Sequence, residues 1–444
     1  NLYPVDFQHT NESFSLVMRK EIDIACHDIF GFNRALSTLI SQIKVIDYSN
    51  SYKYDDTSIT DLPKYKYRSL MIDTARHYIS IDVIKNQIKA MSLAKFNILH
   101  LHISDSQSFP LQTNNLHNPF IINLQNYSYS LEQLHSLQQF SLNLGVFIVV
   151  ELEMPSHAES WKKQYPELIC ACGDVLRPFS DVYKVIKSVL TDVNEAVYKA
   201  FQLNPMFHLG GDEVNVNCYN TDPETKAEMT KRNLTPQETW RWFHQQVIDI
   251  VDEISASSQK IFWQESYGNQ NNMSNSIVHI WESTYEMKQA VKNEIYVIRS
   301  QGWYLDLNQP GDQRDYFAES WQDFYQVKVQ GEIKNETQLK FVLGGSACMF
   351  GDRMNDGNID ELIWPRAVAV GIILWSDPTE RKLDEVQKII NEYPCKLWQM
   401  GVQSGTLGPV EPCPGIHTAK APLEGWGKLE TRSSESYQGW AGIG

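Results

Sequence analysis

The chain has 444 residues, of which 42% are hydrophobic and 21% are charged, a balance typical of a globular protein and not of a disordered one. Its formal net charge is −15 at pH 7, and no cluster of lysine or arginine offsets it, which argues against binding to nucleic acid or to an anionic membrane surface. No run of 18 apolar residues is present in the sequence, so no transmembrane helix is expected.

The first 66 residues are predicted to form a small unit and its connection to the main domain. Within residues 1–50, the stretch "GFNRALSTLISQI" (31–43) has the apolar spacing of an amphipathic helix. The polar run over residues 51–66 is rich in turn-forming residues and is interpreted as a linker. The chain begins at Asn1 without a signal-peptide pattern, so we expect it to be a processed product.

From residue 67 onward, short β-branched runs alternate with stretches of helical periodicity such as "SIDVIKNQIKAMSLAK" (80–95). Eight such runs are predicted as strands: 67–73, 96–104, 145–153, 205–211, 260–265, 276–281, 295–300 and 340–349. Eight strands alternating with helices predict the α/β class and a parallel (β/α)8 barrel, here over residues 67–408. Residues 409–444 are rich in glycine, proline and serine and are interpreted as an irregular tail.

Polar and aromatic side chains gather where the predicted strands end. In (β/α)8 barrels the carboxyl ends of the strands carry the active site, whereas a single polar strand end is explained by loop exposure alone. Six such ends on one rim therefore favour a functional site over loop exposure. The residues at these ends are Asp73, Asp105, Glu153, Asp212 with Glu213, Glu265, and Trp281 with Glu282.

The stretch "HLGGDEV" (208–214) places two carboxylates side by side after two glycines. Neighbouring side chains of an ideal strand point to opposite faces, but Gly210 and Gly211 allow the backbone to leave that geometry and re-aim the next two side chains. Two acids in one pocket raise the pKa of one of them, which gives a proton donor beside a carboxylate, as glycoside chemistry requires. A solvated acidic turn is the alternative that this stretch alone leaves open.

Seven motifs together resemble glycoside hydrolase family 20, the β-N-acetylhexosaminidases. "HLGGDEV" matches the family's signature, and "ELEMPSHAESW" (151–161) resembles its "EFDxPGHxxSW" segment. The others follow in the family's order: "YRSLMIDTARHY" (67–78), "HLHISDSQSFP" (100–110), "FWQE" (262–265), "WYLDL" (303–307) and "IWPRA" (363–367). The resemblance implies that residues 1–50 are the remnant of the small α+β domain that precedes the family's barrel.

The resemblance also implies catalytic roles. Glu213 would be the general acid, while Asp212 would hold the N–H of the substrate's 2-acetamido group. The acetamido carbonyl would then attack the anomeric carbon and form an oxazolinium ion, which is the substrate-assisted mechanism of this family. Tyr304 would hydrogen-bond the acetamido oxygen, and Asp105 and His157 would support Glu213.

Further residues are implied to bind the sugar. Arg68 would hydrogen-bond the 3- and 4-hydroxyls, and Trp263 and Trp281 would form the walls of the pocket. Asp306 lies where some members bind the sugar, and Leu307 beside it resembles members that prefer neutral rather than sulfated substrates.

The segment "GGSACMFGD" (344–352) departs from the family's usual "GGEACMWGE". Phe350 stands where tryptophan forms the floor under the sugar, which should weaken stacking by about 1 kcal/mol. Asp352 stands where glutamate binds the outer hydroxyls, and its shorter side chain leaves room for a bridging water. Ser346 replaces a glutamate, and the two isoleucines of "AVGIILWS" (369–376) stand where the family commonly has Glu-Arg.

The seven cysteines show no zinc-ligand spacing, and no metal or other cofactor is expected. Cys395 and Cys413 flank a stretch rich in glycine and proline, and the resemblance implies a disulfide between them. It also implies that Cys218 pairs with Cys170 or with Cys172, and the sequence leaves that choice open. Cys348 resembles the buried free thiol of the family's eighth strand.

We therefore expect an exo-acting β-N-acetylhexosaminidase that hydrolyses terminal, non-reducing, β-linked N-acetylglucosamine or N-acetylgalactosamine, with a carbohydrate as its partner. A catalytically weak or inactive member that serves as a glycan-binding or structural component is the alternative. A retaining enzyme with a protein nucleophile is disfavoured, because it needs a second carboxyl about 5–5.5 Å away across the sugar. Many members are dimers, so a homodimer is one expected state.

We also expect the protein to be lysosomal or secreted. Five Asn-x-Ser/Thr sequons are compatible with secretion, and an acidic composition suits a protein that works at mildly acid pH. The sequons begin at Asn11, Asn126, Asn233, Asn272 and Asn335.

Overall fold

A computed structural model of the protein describes residues 6–45, 52–113, 127–269, 273, 275–306, 320–376 and 381–405. The described chain forms a small antiparallel sheet with one helix, followed by a closed barrel of eight strands. Among the helices in these ranges, none is both long enough and apolar enough to cross a membrane.

In the small sheet, β1 (Phe14–Met18) lies between β2 (Ile22–Cys26) and β5 (Thr57–Asp61) and is antiparallel to both. Alternate residues of β1 are buried, as the period of two in a strand with one buried face requires. Helix α1 (Ile29–Gln42) packs on this sheet, and its N-cap Asp28 accepts a hydrogen bond from the backbone N–H of Gly31. This confirms the helix predicted there.

Two short strands, β3 (Lys44–Val45) and β4 (Tyr52–Lys53), pair with each other antiparallel. The interpretation of residues 51–66 as a linker is wrong, because β5 lies inside that range and pairs along its whole length with β1. The run "TSITD" has only one large apolar residue, Ile59, which is paired with Leu16 of β1 and half-buried. Pairing with β1 therefore makes this polar segment a strand.

The barrel is closed, and every pair of neighbouring strands in it is parallel, which confirms the predicted (β/α)8 barrel. Each strand overlaps one of the eight predicted runs. The strands are β6 (Tyr67–Asp73), β7 (Ile98–His102), β8 (Phe147–Glu151), β9 (Met206–His208), β10 (Gln259–Trp263), β11 (Ser276–Ile280), β12 (Tyr296–Arg299) and β13 (Val342–Met349).

Helices follow the strands and cover the barrel. Helix α7 (Pro236–Ile254), for example, begins with a capping box between Thr235 and Glu238 and has Pro236 at its first position, where the missing N–H costs nothing. The helices after α1 are α2 (Ile81–Leu93), α3 (Leu131–Asn143), α4 (Val182–Val193), α5 (Asn217–Thr221), α6 (Pro223–Arg232), α7 (Pro236–Ile254), α8 (Thr284–Lys292), α9 (Trp321–Gln326), α10 (Glu336–Leu339), α11 (Ile359–Ile363), α12 (Arg366–Trp375) and α13 (Leu383–Gln399).

One layer inside the barrel contains imidazoles in place of the usual branched apolar side chains. His100, His208 and His279 are fully buried, and the rings of His100 and His208 stack with their centroids 4.6 Å apart. The carboxylate of Glu151 lies 2.8 Å from His100 Nε2 and 2.8 Å from His208 Nδ1. Burial lowers the pKa of His208 to about 4 against the charge of Glu151, so this ring is neutral at pH 7. The layer supplies the polar partners that a buried carboxylate needs.

A buried cluster of charges joins the small sheet to the amino end of the barrel. Glu12 Oε1 accepts hydrogen bonds from Arg34 Nε of α1 at 2.7 Å and from Arg68 Nη2 of β6 at 2.5 Å. Glu12 Oε2 accepts one from Asn97 Nδ2 at 3.2 Å. Burial opposes the charge of Glu12, but the two guanidinium groups lower its pKa below the ordinary value. Glu12 is therefore a buried, fully paired carboxylate.

Replacing Glu12 with glutamine is expected to lower the free energy of unfolding by about 3–5 kcal/mol, because two buried guanidinium groups lose their counter-charge. The measurement is urea denaturation at pH 7. Since folding lowers the pKa of Glu12, its stabilisation is present above the ordinary pKa of 4.5 and is lost as the pH falls through the lowered pKa. The matched control is Glu253→Gln, in an exposed pair with Lys187, which should cost under about 1 kcal/mol. Equal losses in the two variants would contradict the prediction.

Candidate active site

The two glycines after β9 turn the chain out of the strand, as the sequence predicts. Gly210 has φ +60° and Gly211 has φ +94°, both in the left-handed region that favours glycine. A Cβ atom on Gly210 would lie 1.9 Å from Glu153 Oε2, and one on Gly211 would lie 2.2 Å from Ser266 Oγ. Both conformation and space therefore require glycine at the two positions.

This bend brings Asp212 and Glu213 to the same imidazole. His157 Nε2 lies 3.6 Å from Asp212 Oδ2 and 3.3 Å from Glu213 Oε2. The side chain of Asp212 is 19% exposed and that of Glu213 is 62% exposed. Burial raises the pKa of Asp212, against the charge of His157 and with the charge of Glu151. The two acids thus share one site but differ in their access to solvent.

His157 is held as a cation between carboxylates. Its Nδ1 atom lies 3.3 Å from Asp105 Oδ1. Burial opposes the charge on the ring, but the hydrogen bond to Asp105 and the charges of Asp212 and Asp105 raise the pKa of His157 to about 9. At pH 5 to 7 the imidazolium therefore balances the carboxylates on either side of it.

Behind His157, charges alternate in a chain that runs down into the barrel. His102 Nε2 lies 3.0 Å from Asp105 Oδ2, and His102 Nδ1 lies 2.6 Å from Glu151 Oε2. Burial opposes the charge of His102, but Glu151 and Asp105 raise its pKa well above the ordinary value. Hydrogen bonds from His102 and His157 lower the pKa of Asp105 against the effect of burial. This row of alternating charges fixes the charge and the position of His157.

Glu153 is a buried carboxyl of the site that the sequence marked only as a strand end. Its Oε1 atom accepts a hydrogen bond from Trp263 Nε1 at 3.1 Å, and Oε2 packs against Gly210. Burial, together with the negative charges of Asp212 and Glu151, raises the pKa of Glu153 well above the ordinary value. Glu153 therefore holds its proton more tightly than an ordinary glutamate, close to Asp212. Its spacing of two from Glu151 was the available signal, because alternate residues along a strand share a face.

The expectation that Arg68 binds the sugar is wrong. Arg68 is the second residue of β6, so its fully buried side chain lies at the amino end of the barrel, away from Asp212. Besides Glu12, its guanidinium donates to the backbone oxygens of Lys95 and Tyr65, each at 2.8 Å. A buried guanidinium with these partners cannot reach a ligand at the opposite end of the barrel.

Arg76, in the same motif, lies at the carboxyl end instead. It follows the end of β6 by three residues, and its Nη2 atom lies 2.8 Å from Asp105 Oδ2. Its Nη1 atom lies 3.2 Å from Asp73 Oδ2, and its guanidinium lies over the ring of Phe350 at 5.4 Å. Burial opposes its charge, but Asp73 and Asp105 raise the pKa of Arg76 above the ordinary value. Arg76 is the guanidinium that the site holds.

The two tryptophans differ in their placement. Trp263 is 2% exposed, stacks on His279 with ring centroids 4.0 Å apart, and donates its indole N–H to Glu151 Oε1 at 2.8 Å. It lies in the buried layer of the barrel, so its place is that of core packing and not of an open wall. Trp281 is half-buried on the rim, and its indole N–H donates to Glu265.

Four further predicted residues gather on the other side of the rim. Leu305 N donates to Cys348 O at 2.7 Å, so the segment that carries Tyr304 lies along β13. The rings of Tyr304 and Phe350 stack at 5.7 Å, and both are half-buried. Burial raises the pKa of Asp306 to about 6, helped by the charges of Asp352 and Asp73. Asp352 itself is exposed, whereas Asp306 is half-buried.

Three groups of side chains in the described ranges have donor atoms within 4.8 Å of one another, as a metal ion would require. Within these groups the imidazoles of His102, His157 and His208 lie at ion-pair distance from carboxylates, and the rings of His100 and His208 stack. The groups are His100 with His208 and His279, His102 with Glu151 and Glu153, and His157 with Asp212 and Glu213.

A disulfide links the loops that carry the site. Cys218 pairs with Cys172, which settles the choice that the sequence left open, and Cys170 remains a buried free thiol. The bond ties the loop after β8 to α5, shortly after Glu213. Cys348 is buried and free, as expected. Cys413, the expected partner of Cys395, and Leu307 lie outside the described residues.

Comparisons with known proteins place the chain in one family. Residues 65–378 match the catalytic domain of glycosyl hydrolase family 20. The chain is 32% identical over 394 residues to β-hexosaminidase 1 of Arabidopsis thaliana, a match that covers 82% of this chain and 68% of that protein. It is 28% identical over 424 residues to β-hexosaminidase subunit A1 of Dictyostelium discoideum, covering 91% of this chain and 76% of the relative.

Solved structures share the fold. The exo-β-N-acetylglucosaminidase of Vibrio harveyi in complex with N-acetylglucosamine has a TM-score of 0.79 at 20% identity, with 90% of this chain and 68% of that chain covered. The chitobiase of Flavobacterium johnsoniae has a TM-score of 0.76 at 23% identity, with 88% of this chain and 60% of that chain covered. At these identities the likeness supports the fold alone.

Proposed function

Since the chain belongs to glycosyl hydrolase family 20, as its motifs indicate, we propose that it hydrolyses terminal, non-reducing, β-linked N-acetylglucosamine and N-acetylgalactosamine by a substrate-assisted, retaining mechanism. Family membership confirms the expected enzyme class, a β-N-acetylhexosaminidase. The observation that carries the proposal is the pair of adjacent acids, one exposed and one nearly buried, that face the cationic His157.

In the first step, Glu213 donates its proton to the glycosidic oxygen as the bond from that oxygen to the anomeric carbon breaks. The acetamido oxygen of the substrate forms the new bond to the anomeric carbon, which gives an oxazolinium ion. Support comes from exposure, because the leaving group must reach the acid and the side chain of Glu213 is 62% exposed. As Glu213 becomes negative, the imidazolium of His157, 3.3 Å away, stabilises the new charge.

Asp212 accepts the N–H of the acetamido group and stabilises the positive charge of the oxazolinium ion. Its Oδ1 atom is buried and makes no hydrogen bond of normal geometry in the part of the chain that the structure describes, while the Asp212 side chain also interacts with that of Glu153, so the acetamido N–H can serve as a donor to Oδ1. Burial raises the pKa of the Tyr304 hydroxyl well above its ordinary value, so the hydroxyl keeps a proton to donate to the acetamido oxygen. Both contacts hold the nucleophilic oxygen in place.

In the second step, water attacks the anomeric carbon from the side that the leaving group vacated. Glu213, now ionised, takes a proton from that water, and the bond to the acetamido oxygen breaks. Two displacements at the same carbon leave its configuration unchanged. No protein nucleophile takes part, which fits the placement of both acids on one segment.

The sugar ring is proposed to lie between Trp281 and the rim of Asp306, Phe350 and Asp352, with Arg76 near its hydroxyls. Asp306 Oδ1 is buried without a hydrogen-bond partner among the described residues, which leaves an atom for a sugar hydroxyl. The ring of Tyr304 and the guanidinium of Arg76 both contact the ring of Phe350, so they limit the area of that ring that can serve as the floor.

The test is hydrolysis of chromogenic N-acetylglucosaminide and N-acetylgalactosaminide by the purified full chain across pH 3–10. We expect cleavage of both, with a maximum at mildly acid pH, because the general acid must carry its proton. Above about pH 9, loss of the charge on His157 should lower the rate further. Failure to cleave either compound near pH 5 would contradict the proposal.

A catalytically silent glycan-binding member is the second candidate. The observation that favours it is the combination of the small Phe350 ring, stacked on Tyr304, with the exposed Asp352. A thiazoline analogue of the oxazolinium ion separates the candidates. Tight binding of the analogue without turnover of either chromogenic substrate would favour the silent member.

We further propose a lysosomal or secreted location. The Cys172–Cys218 disulfide supports it, because disulfides persist in oxidising compartments.

A carbohydrate is the proposed partner, and a homodimer is the proposed assembly. Light scattering of the purified chain with mass determination tests the assembly.

A further inference from the structure

Two consecutive residues after β10 hold the loop after β11. Gln264, 4% exposed, accepts three backbone N–H groups on its Oε1 atom, from Trp281 at 3.1 Å, Glu282 at 2.9 Å and Ser283 at 3.2 Å. Glu265 accepts the indole N–H of Trp281, whose Nε1 atom is 3.1 Å from each of its two carboxylate oxygens. Gln264 therefore fixes the backbone of Trp281, and Glu265 fixes its ring.

We propose that Glu265 is a positioning residue that holds the indole of Trp281 as the wall for the substrate's 2-acetamido group, and so sets the preference for 2-acetamido sugars. The inference rests on the proposed function for the identity of the ligand. Trp281 is half-buried, and its ring has two torsions that the backbone contacts of Gln264 do not fix. The hydrogen bond to Glu265 fixes them.

The electrostatics of Glu265 fit a residue that belongs to the site. Burial raises the pKa of Glu265 to about 7, and the negative charge of Asp212 acts in the same direction, against the hydrogen bond from Trp281. The effect of Asp212 means that the two carboxyls lie close enough to interact. Glu265 thus links the Trp281 wall to the acid that accepts the acetamido N–H.

The indole N–H of Trp281 needs a hydrogen-bond acceptor, and this acceptor can be charged or neutral. In Glu265→Gln the amide oxygen remains as an acceptor, whereas in Glu265→Leu a side chain of similar size offers none. The leucine variant should therefore free the ring of Trp281, and the glutamine variant should keep it in place. A role in folding alone would not separate the two variants in substrate affinity.

The experiment compares these two variants and Trp281→Phe in the full chain, with the chromogenic N-acetylglucosaminide and the matching glucoside as substrates. We expect Glu265→Leu to raise KM for the acetamido substrate about tenfold or more and to narrow its preference over the glucoside. Glu265→Gln should stay within about threefold of wild type. Glu253→Gln, an exposed change on α7, is the control and should leave KM unchanged.

A double-variant cycle decides whether Glu265 acts through Trp281. In a Trp281→Phe background, Glu265→Leu should add little to the rise in KM, because the ring that it positions is already gone. Additive effects of the two substitutions, or an unchanged KM in Glu265→Leu, would overturn the proposal.

A readout without catalysis separates this inference from the proposed function. The fluorescence difference between wild type and Trp281→Phe isolates Trp281 from the other 11 of the 12 tryptophans. The same difference measured in the Glu265→Leu background should shift to longer wavelength as the indole turns to water, even if no substrate is cleaved. An unshifted difference spectrum would contradict the positioning role.

Discussion

Replacing Glu213 with glutamine is expected to lower kcat by about 10³-fold for a substrate whose leaving group is another sugar, because the amide has no proton to donate to the glycosidic oxygen. For a nitrophenyl leaving group, which departs without full protonation, the loss in the first step should be smaller. The measurement is kcat for both substrates in wild type and variant.

The control for this substitution is stability. The side chain of Glu213 is 62% exposed, so Glu213→Gln should unfold within about 1 °C of wild type, as surface substitutions generally do. A variant that keeps its melting temperature and loses its activity assigns the loss to chemistry. Unchanged kcat on the sugar leaving group would show that Glu213 is not the acid.

Replacing Asp212 with asparagine is expected to lower kcat/KM by about 10²–10³-fold, because the oxazolinium ion loses the carboxylate that balances its charge. The loss should be seen with the nitrophenyl substrate as well, because charge balance at the acetamido group does not depend on the leaving group. The loss of activity should therefore depend on the leaving group in Glu213→Gln but not in Asp212→Asn, and this difference distinguishes the roles of the two acids. Equal sensitivity of the two variants to the leaving group would contradict the assigned roles.

The same substitution should stabilise the fold in a pH-dependent way. Folding raises the pKa of Asp212, so the native state favours the protonated acid and loses stability, relative to the unfolded chain, as the pH rises through that raised pKa. Asparagine does not titrate. The melting temperature of Asp212→Asn relative to wild type should therefore be higher at pH 8 than at pH 4, and a difference that falls with pH would contradict this sign.

The barrel could be predicted because its strands are buried on both faces. Each such strand is a nearly continuous apolar run, as in "FIVVE" of β8, and the runs alternate with amphipathic helices. β5 could not be predicted in this way. It lies on the edge of a small sheet, exposes alternate polar residues, and becomes a strand by pairing with β1, a contact that lies more than 35 residues away in sequence.

The sequence predicted those site residues whose position follows from the end of a strand. Asp105, His157, Asp212 and Glu213 do lie together, at distances of 3.3 to 3.6 Å through His157. Arg68 and Arg76 share a motif, and the predicted strand 67–73, which matches β6, already placed Arg68 near its amino end and Arg76 beyond its carboxyl end, so the sequence held the signal that separates them.

The sequence also did not predict which individual side chains are buried or in which direction they point. Trp263 ends its strand, as a wall residue would, but its side chain points into the barrel, where Glu151 accepts its N–H. The choice of Cys172 over Cys170 depends in the same way on which of two neighbouring thiols faces α5. Neither direction follows from local sequence, because each is set by a segment that is distant along the chain.

The bend at Gly210 and Gly211 also limits how this chain can change over evolutionary time. On the proposed roles, an exchange of Glu213 for glutamine removes the acid at an exposed position, whereas any side chain on either glycine would collide with Glu153 or Ser266. A lineage that abandons hydrolysis can therefore lose its acids by single, structurally tolerated steps while both glycines persist. On the proposed roles, the Gly-Gly pair is therefore constrained by the fold, and the two acids that follow it are constrained by turnover alone.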